Sequence, residues 1–485
     1  MERKIKKILI ANRGVPAVRI IHTCRDRKIP TVAVYSTPDR LAHHVRVADS
    51  AIHIGEAPPA ESYLNMQKMI GAALKSGADA IHPGWGFLAE NSIFAQMVID
   101  AGLVWIGPPP KVIKVMGDKM EAKKLAMRAN VPTIPGISGV TDVEQIKKWI
   151  KDEDVSYPII IKAAFGGGGK GMVKVESDDG LLIALEQARS EARKSFGDDK
   201  LLVEKYIERG RHIEVQIVAD EHGNVFHLYE RECTLQRRNQ KIIEEAPSPS
   251  INHDIRNEMC FTAARLMREI GYTSAGTVEF IFDSASKRFY FLEVNTRLQV
   301  EHGITELITG LDIAGLMIDV ADGRKFSFKQ ADIHPNRWAL EVRINAEDPK
   351  NFSPSFGRIT RMEVPQGPGV RISQGAYEGA DIPAYYDSLV MLIMTAGSDR
   401  DDAVRVMDRV LSRNFRVEGI KTLAPLLLSI IRHESFRRGE FSTRFIEEHM
   451  SELVSMFKEK SMEDEVLKIA KFVAKVSALG PQEWM

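Results

Sequence analysis

Glu279 and Glu293 are the residues whose spacing first suggests chemistry. They sit in TVEFIFD (277–283) and RFYFLEVNTR (288–297), strand-like runs joined by the turn SASK. With the turn centred near Ser286, the two glutamates lie directly opposite each other, and like charges so placed destabilise a hairpin. A divalent cation between them removes that penalty. Because side chains alternate along a strand, Glu293, Asn295 and Arg297 share one face. Glu279, Glu293 and the amide oxygen of Asn295 therefore form a hard-oxygen set suited to Mg2+, which takes few protein ligands and completes its shell with phosphate oxygens and water. Solvated carboxylates on an exposed sheet face are the blander reading of the same pattern.

A second constellation is ERECTLQRRNQKIIEEAPSP, residues 230–249, where Arg231, Arg237, Arg238 and Lys241 are interleaved with Glu230, Glu232, Glu244 and Glu245. It reads either as a salt-bridged surface ribbon, which contributes little stability, or as a source of cations beside a metal-bound phosphate. Lys119, Lys162 and Lys205 add positive charges on or next to predicted helices and strands.

The third is KAAFGGGGKGM, Lys162 to Met172. Its letters fit a dinucleotide fingerprint and faintly suggest a P-loop. Both of those need strand, glycine turn and then helix, so that a phosphate meets a helix N-terminus, and a P-loop also needs Ser or Thr after its lysine. Here the glycines join two predicted strands, YPIIIKAA and MVKVES, and Lys170 is followed by Gly171. What remains is a long hairpin tip, rich in unblocked N–H groups, that can fold over an anion as a lid. A hairpin loop without a ligand is the alternative.

The elements that must position these residues follow from periodicity. From Lys7 to about Pro110, KILIAN, TVAVYS, ADAIHPG and LVWIGP alternate with helical runs, including one from about Leu88, which predicts a parallel, doubly wound sheet. Ligands of such sheets sit beyond the carboxyl ends of the strands, here at Asn12-Arg13-Gly14 and His82 to Phe87. Residues 118–130 predict a helix, and VPTIPG a boundary. From His212 the pattern turns antiparallel, with HIEVQIVAD and NVFHLYERE as strands.

Composition narrows the class. Sixty-six basic and 66 acidic residues cancel, so no nucleic-acid or anionic-membrane partner is predicted. The three cysteines, Cys24, Cys233 and Cys260, form no CxxC pair, which points away from a zinc site or a disulfide framework and toward a reducing, cytoplasmic setting. ILIA near the N-terminus is too short for a signal-peptide core, and no run approaches the roughly 18 apolar residues of a membrane span.

These residues together resemble the biotin carboxylase component of biotin-dependent carboxylases, in the ATP-grasp superfamily. The resemblance runs from about Lys7 to about His449 through ILIANRG, AIHPGWGFLAEN, IGPPPKVIKVMGDK, IIIKAAFGGGGKGM, ERECTLQRRNQK, GTVEFIF, FLEVNTRLQVEH, EVRINAEDP, AYYDS and EGIKT, in family order. It implies an α/β and α+β multidomain protein. Residues 1–116 would form the doubly wound N-terminal domain, 117–135 a helical linker, 136–206 the ATP-grasp lid, and 207–333 the C-terminal part of the ATP grasp. Residues 334–450 would form the C-terminal domain and 451–485 a helical tail.

It also implies roles. Lys119, Lys162, Gly168, Gly169 and Met172 would hold or cover the phosphates of ATP. Glu204, Lys205, Ile207, His212, Gln236, Asn239, Ile281 and Ile420 would complete the nucleotide site. Glu279, Glu293 and Asn295 would bind Mg2+ or Mn2+. Lys241, Arg297, Gln299, Val300 and Glu301 would hold bicarbonate, with Glu301 as general base, and Arg343 would stabilise the biotin enolate beside Trp85. Biotin would arrive on a separate carrier protein, because the chain has no Met-Lys-Met and only about 35 residues follow His449. A homodimeric partner and a carboxyltransferase subunit complete the implied assembly. The tail is expected to be helical, either packed on its own domain or docking a partner.

Several positions depart from the family's usual pattern. Trp85 replaces a tyrosine, Asn239 a histidine, Gly303 a proline, Phe165 a glycine, Leu392 a lysine, and Val15-Pro16 a Glu-Ile pair. His22 and Pro368 stand where dimer contacts usually involve other residues. The alternatives are a ligase that uses another, amine-bearing acceptor and a degenerate, non-catalytic subunit. RLQVEH and the Arg343 segment argue against the first, and retention of the metal, base and arginine positions against the second.

Overall fold

The structure is a computed structural model that describes residues 5–163, 172–196, 199–413 and 415–478. Gly168, Gly169 and Phe165, and with them the expected lid tip, lie outside the described residues. Near the N-terminus, short β-branched runs form β1 (Ile8–Ile10), β2 (Thr31–Ser36), β3 (Ser50–Gly55), β4 (Ala80–His82) and β5 (Val104–Trp105), paired in parallel in the order β3-β2-β1-β4-β5. Helices α1 (Gly14–Asp26), α2 (His43–Val47), α3 (Met66–Ser76) and α4 (Ser92–Asp100) link and cover these strands. The order reverses between β1 and β4, so their carboxyl ends open a crevice at Asn12 and at 82–87. The helix expected from Leu88 starts four residues later, because Asn91 caps α4, its side-chain oxygen accepting from Phe94 N at 2.8 Å.

Two helices, α5 (Pro110–Met116) and α6 (Lys119–Arg128), lead to the next unit. Asp118 separates them by capping α6, accepting from the backbone N–H groups of Met120 and Glu121. The next unit holds β6 (Gly136–Ser138), α7 (Val143–Asp152), β7 (Ile159–Ala163), β8 (Met172–Val175), α8 (Leu181–Phe196) and β9 (Leu201–Lys205), its sheet ordered β6-β9-β7-β8. Strands β7 and β8 pair antiparallel, with Lys162 opposite Met172, so the glycine run does connect two strands of one hairpin.

The rest of the chain is organised by an eight-stranded sheet, β14-β13-β10-β11-β12-β15-β20-β18. It uses β10 (Gly210–Ala219), β11 (Val225–Arg237), β12 (Gln240–Ala246), β13 (Ser274–Asp283), β14 (Arg288–Asn295) and β15 (Trp338–Asn345). Helices α9 (His253–Glu269), α10 (His302–Thr309) and α11 (Ile313–Ala321) intervene. After β15 come β16 (Gly357–Arg358), β17 (Arg361–Glu363), β18 (Val370–Gln374), β19 (Asp381–Ile382), β20 (Leu389–Gly397) and β21 (Arg416–Glu418). Helices α12 (Arg400–Arg413), α13 (Ala424–Arg432), α14 (Glu434–Arg437) and α15 (Phe445–Ala478) complete the chain.

The boundary expected at residues 333/334 separates no sheets. β12 pairs with β15, Ile243 opposite Val342 and Glu244 opposite Glu341, so one sheet runs through both segments. Leu340, Val342 and Ile344 bury their side chains in a core with α12 and α13, and period-two alternation sends Glu341 and Arg343 to the other face. The tail helix begins before residue 451: α15 is continuous from Phe445 and anchors Leu453 in that core.

Candidate active site

Lys241, on β12, is the hub. Its Nζ donates to Glu214 at 2.6 Å, Glu301 at 2.8 Å and Glu279 at 2.9 Å. Burial alone would discharge this ammonium, but the three carboxylates outweigh burial and hold its pKa well above the usual lysine range. Burial likewise pushes Glu301 up, and Lys241, Arg343 and Arg231 reverse the shift, holding its carboxyl well below the usual range and therefore ionised. Arg343 Nη2 reaches Glu301 at 3.1 Å while its Nε donates to Glu244 at 2.6 Å. Arg231 donates to Glu214 at 2.6 Å and to Gln216 at 2.7 Å.

The segment 230–249 is no surface ribbon. It is the β11–β12 hairpin, in which Glu230, Arg231, Glu232, Glu244 and Glu245 are buried. Its tip is the two-residue turn Arg238-Asn239, both with positive φ, 47° and 66°, the geometry of a two-residue hairpin turn in which Asn is favoured. Asn239 is accordingly exposed at that tip.

The register expected for the metal pair is the one observed: Glu279 faces Glu293 across β13–β14. Glu279 accepts from Asn295 Nδ2 at 2.8 Å and meets His212 Nε2 at 2.7 Å. Burial raises its carboxyl, and Lys241 and His212 overturn that, leaving it well below the usual range. Glu293 is raised, by burial first and then by the charge of Glu279. Two carboxylates in register, one of them destabilised by the other, are a donor pair that a divalent ion fits. Asn295 turns its carbonyl oxygen to Arg297 Nη2 at 2.9 Å, and Arg297 is clamped by Glu90 at 2.8 Å and by Gln299 at 2.9 Å.

On the lid side, Glu204 is buried between Lys162 at 2.8 Å and Lys123 at 2.6 Å. Lys119 heads α6 with its pKa lowered, chiefly by burial. Ile207 and Ile281 meet over Gly210, where any Cβ would collide with Ile281. Gln236 Nε2 lies 2.7 Å from His212 Nδ1. Lys205 ends β9 opposite Ile159, and Met172 starts β8 half-exposed. Ile420 is placed in the apolar core around β15 and β20.

A cavity of about 340 Å³ adjoins Arg343, walled by Asn12, Val15, Pro16, Trp85, Val300 and Tyr386 among others. The Trp85 indole stands 5.9 Å from the His302 ring. Three of the departures prove to be neighbours: Val15 and Leu392 share one apolar cluster with Met394, and Met394 Sδ fills the space where a side chain on Gly303 would stand.

The residues that sequence reasoning passed over are Glu90, Lys123, Glu214 and Glu341, which lies opposite Glu244. Only Glu214 had a local signal, as a charge within the alternating run HIEVQIVAD.

With this geometry in place, residues 4–113, 118–329 and 341–448 match, in order, family models described as the biotin carboxylase N-terminal domain, the carbamoyl-phosphate synthase L chain ATP binding domain and the biotin carboxylase C-terminal domain. Biotin carboxylase 1 of Bacillus subtilis is 46% identical over 445 residues, 91% of this chain and 98% of that one. The chain belongs to the biotin carboxylase family. Another relative, the biotin carboxylase of Haemophilus influenzae, is 45% identical, covering 92% of this chain and 99% of that protein. Among solved structures, the biotin carboxylase domain dimer of Hydrogenobacter thermophilus 2-oxoglutarate carboxylase, with MgADP, ADP and bicarbonate, superposes with a TM-score of 0.87 at 44% identity, covering 92% of this chain and 98% of that one. The ATP-grasp architecture is thus common to the biotin carboxylases and to this chain.

Proposed function

We propose that the chain carries out the ATP- and bicarbonate-dependent carboxylation of biotin held on a separate carrier protein, as the biotin carboxylase subunit of an acyl-CoA or 2-oxo acid carboxylase. The observation that carries this reading is the placement of Glu301: an ionised, buried carboxylate between Lys241 and Arg343, at the junction of the carboxylate pair and the Trp85 cavity. An ionised base with cations on both sides can accept the proton of bicarbonate and keep the resulting anion in place.

Glu301 takes the bicarbonate proton, and the freed oxygen attacks the γ-phosphorus of ATP. The bond to the bridging oxygen of ADP breaks, giving carboxyphosphate and ADP. Lys119 and Lys162 place their charges beside the phosphates, in keeping with a phosphoryl transfer governed by positioning and electrostatics. Mg2+ or Mn2+, held by Glu279 and Glu293 with Asn295 beside them, would neutralise phosphate charge. Carboxyphosphate splits into CO₂ and phosphate; phosphate removes the N1′ proton of biotin, and that nitrogen bonds to CO₂ while Arg343 offsets the enolate charge. The wall of Trp85, Val15 and Pro16 keeps water from the second half of the sequence.

The acceptor of CO₂ is selected by a carboxyltransferase partner rather than by this chain. A homodimer is supported by the dimeric state named for the Hydrogenobacter relative.

The test is ATP hydrolysis by the purified chain. Hydrolysis that requires bicarbonate and rises with free biotin is expected. Hydrolysis indifferent to biotin but stimulated by an amine would replace this reading with a different ligase, and absence of ATP binding would indicate a non-catalytic role.

A further inference from the structure

Glu341 is unusual among the described residues. It is fully buried on β15, and neither carboxylate oxygen has a hydrogen-bond partner among the described residues. Directly across the β12–β15 ladder is Glu244, also fully buried, with one oxygen on Arg343 and the other unpartnered. An ionised carboxylate without a hydrogen bond in such a place is prohibitively costly, and two of them side by side are costlier still.

Among the described residues, no cation hydrogen-bonds to Glu341. β20 presents Met394 opposite Glu341 and Leu392 opposite Arg343. From α10, the space beside Gly303 lies against Met394 and Glu341, while His302 and Glu306 belong to a separate cluster with Arg19 and Arg371. The charged groups that face it are Glu244 on β12, Glu301 before α10, Arg231 on β11 and Arg343 on its own strand, and Arg343 is already committed to Glu244 and Glu301. Apart from the carboxylate pair that would hold a metal, Arg231, Lys241 and Arg343 are matched by Glu214, Glu244 and Glu301, three charges against three. Glu341 is the surplus acid.

We propose that Glu341 is a positioning residue carried as the neutral acid opposite Glu244, so that no further negative charge offsets Arg343 and Lys241 where an anionic substrate is admitted beside Glu301. The substrate part of this inference rests on the bicarbonate reading above; the protonation part does not. Burial and the facing Glu244 both move the Glu341 carboxyl well above the ordinary range, and burial brings Glu244 to about 7, in line with the geometry. The neutral state is lost as pH rises, and an extra negative charge then stands behind Arg343.

Two measurements test this. Infrared difference spectra of the whole protein at neutral pH are expected to contain a protonated-carboxyl C=O band that disappears in Glu341→Gln, and also in Glu341→Met, an apolar replacement suited to the Met394–Leu392 wall if the amide impairs folding. A spectrum containing only ionised carboxylate would overturn the proposal whatever reaction the protein performs. In turnover, the bicarbonate KM of the unaltered protein is expected to climb on the alkaline side with a limiting slope of about tenfold per pH unit, while the ATP KM stays level. Bicarbonate's own ionisation affects both proteins equally, so the component that vanishes in Glu341→Gln belongs to Glu341. Identical alkaline profiles in the two proteins would overturn the positioning role even with the infrared band present.

Discussion

Glu301 could serve as a base only because three cations reverse what burial does to it. Replacing it with Gln keeps the shape and removes the base, so Glu301→Gln is expected to lower bicarbonate-dependent ATP hydrolysis by about 10²-fold or more while ATP still binds. A titration of nucleotide binding beside steady-state rates checks this, and unchanged turnover would clear Glu301 of the role. Arg231 is different in kind: fully buried against Glu214, it secures the hub without reaching the cavity. Arg231→Met leaves Glu214 Oε1 without its cation while Lys241 keeps the other oxygen, and a loss of about 3 kcal/mol in urea unfolding is expected. At this scale the sequence was legible where chemistry is local. Glu279, Glu293 and Lys241 announce themselves by type and spacing, whereas Glu90 reaches Arg297 across 207 residues of chain and has no local mark.

Among the elements, hairpins were readable and long-range pairings were not. Register in a hairpin follows from its turn, which is why Glu279 and Glu293 could be set opposite each other from the letters alone. No turn connects β12 to β15, so nothing in either run shows that Glu244 and Glu341 will meet. The same applies to Val15, at the head of α1, and Leu392, on β20, which occupy one apolar cluster where relatives usually have a glutamate and a lysine. Val15→Glu alone buries an unpaired charge and is expected to cost about 3 kcal/mol or more. Adding Leu392→Lys should recover part of that loss, and a double-mutant cycle in urea measures the coupling; strict additivity of the two losses would show that the positions do not communicate.

The whole molecule carries a buried histidine set that sets its acid limit. Burial holds His44 at about 4, His82 at about 3 and His302 at about 4, against an ordinary 6.5. Each is neutral in the fold and takes up a proton when unfolded, so the stability it contributes is complete above 6.5 and is lost as pH falls toward those values. The melting temperature is expected to decline steadily from about pH 6.5 to about pH 4, which scanning calorimetry across that range checks; a level profile would contradict it. At this scale, the sequence by itself determined the order of the units, the alternating N-terminal sheet, the strand-flanked glycine run and the facing glutamates, because each depends on periodicity and turn chemistry within a few tens of residues. Tertiary structure alone decided that one sheet runs through the boundary expected at residue 334, that the charged segment 230–249 is buried apart from its tip, and that Glu301 is ionised while Glu341 has no hydrogen-bond partner among the described residues. Those outcomes depend on desolvation and on charges brought together from distant parts of the chain, and neither is defined until the sheet closes.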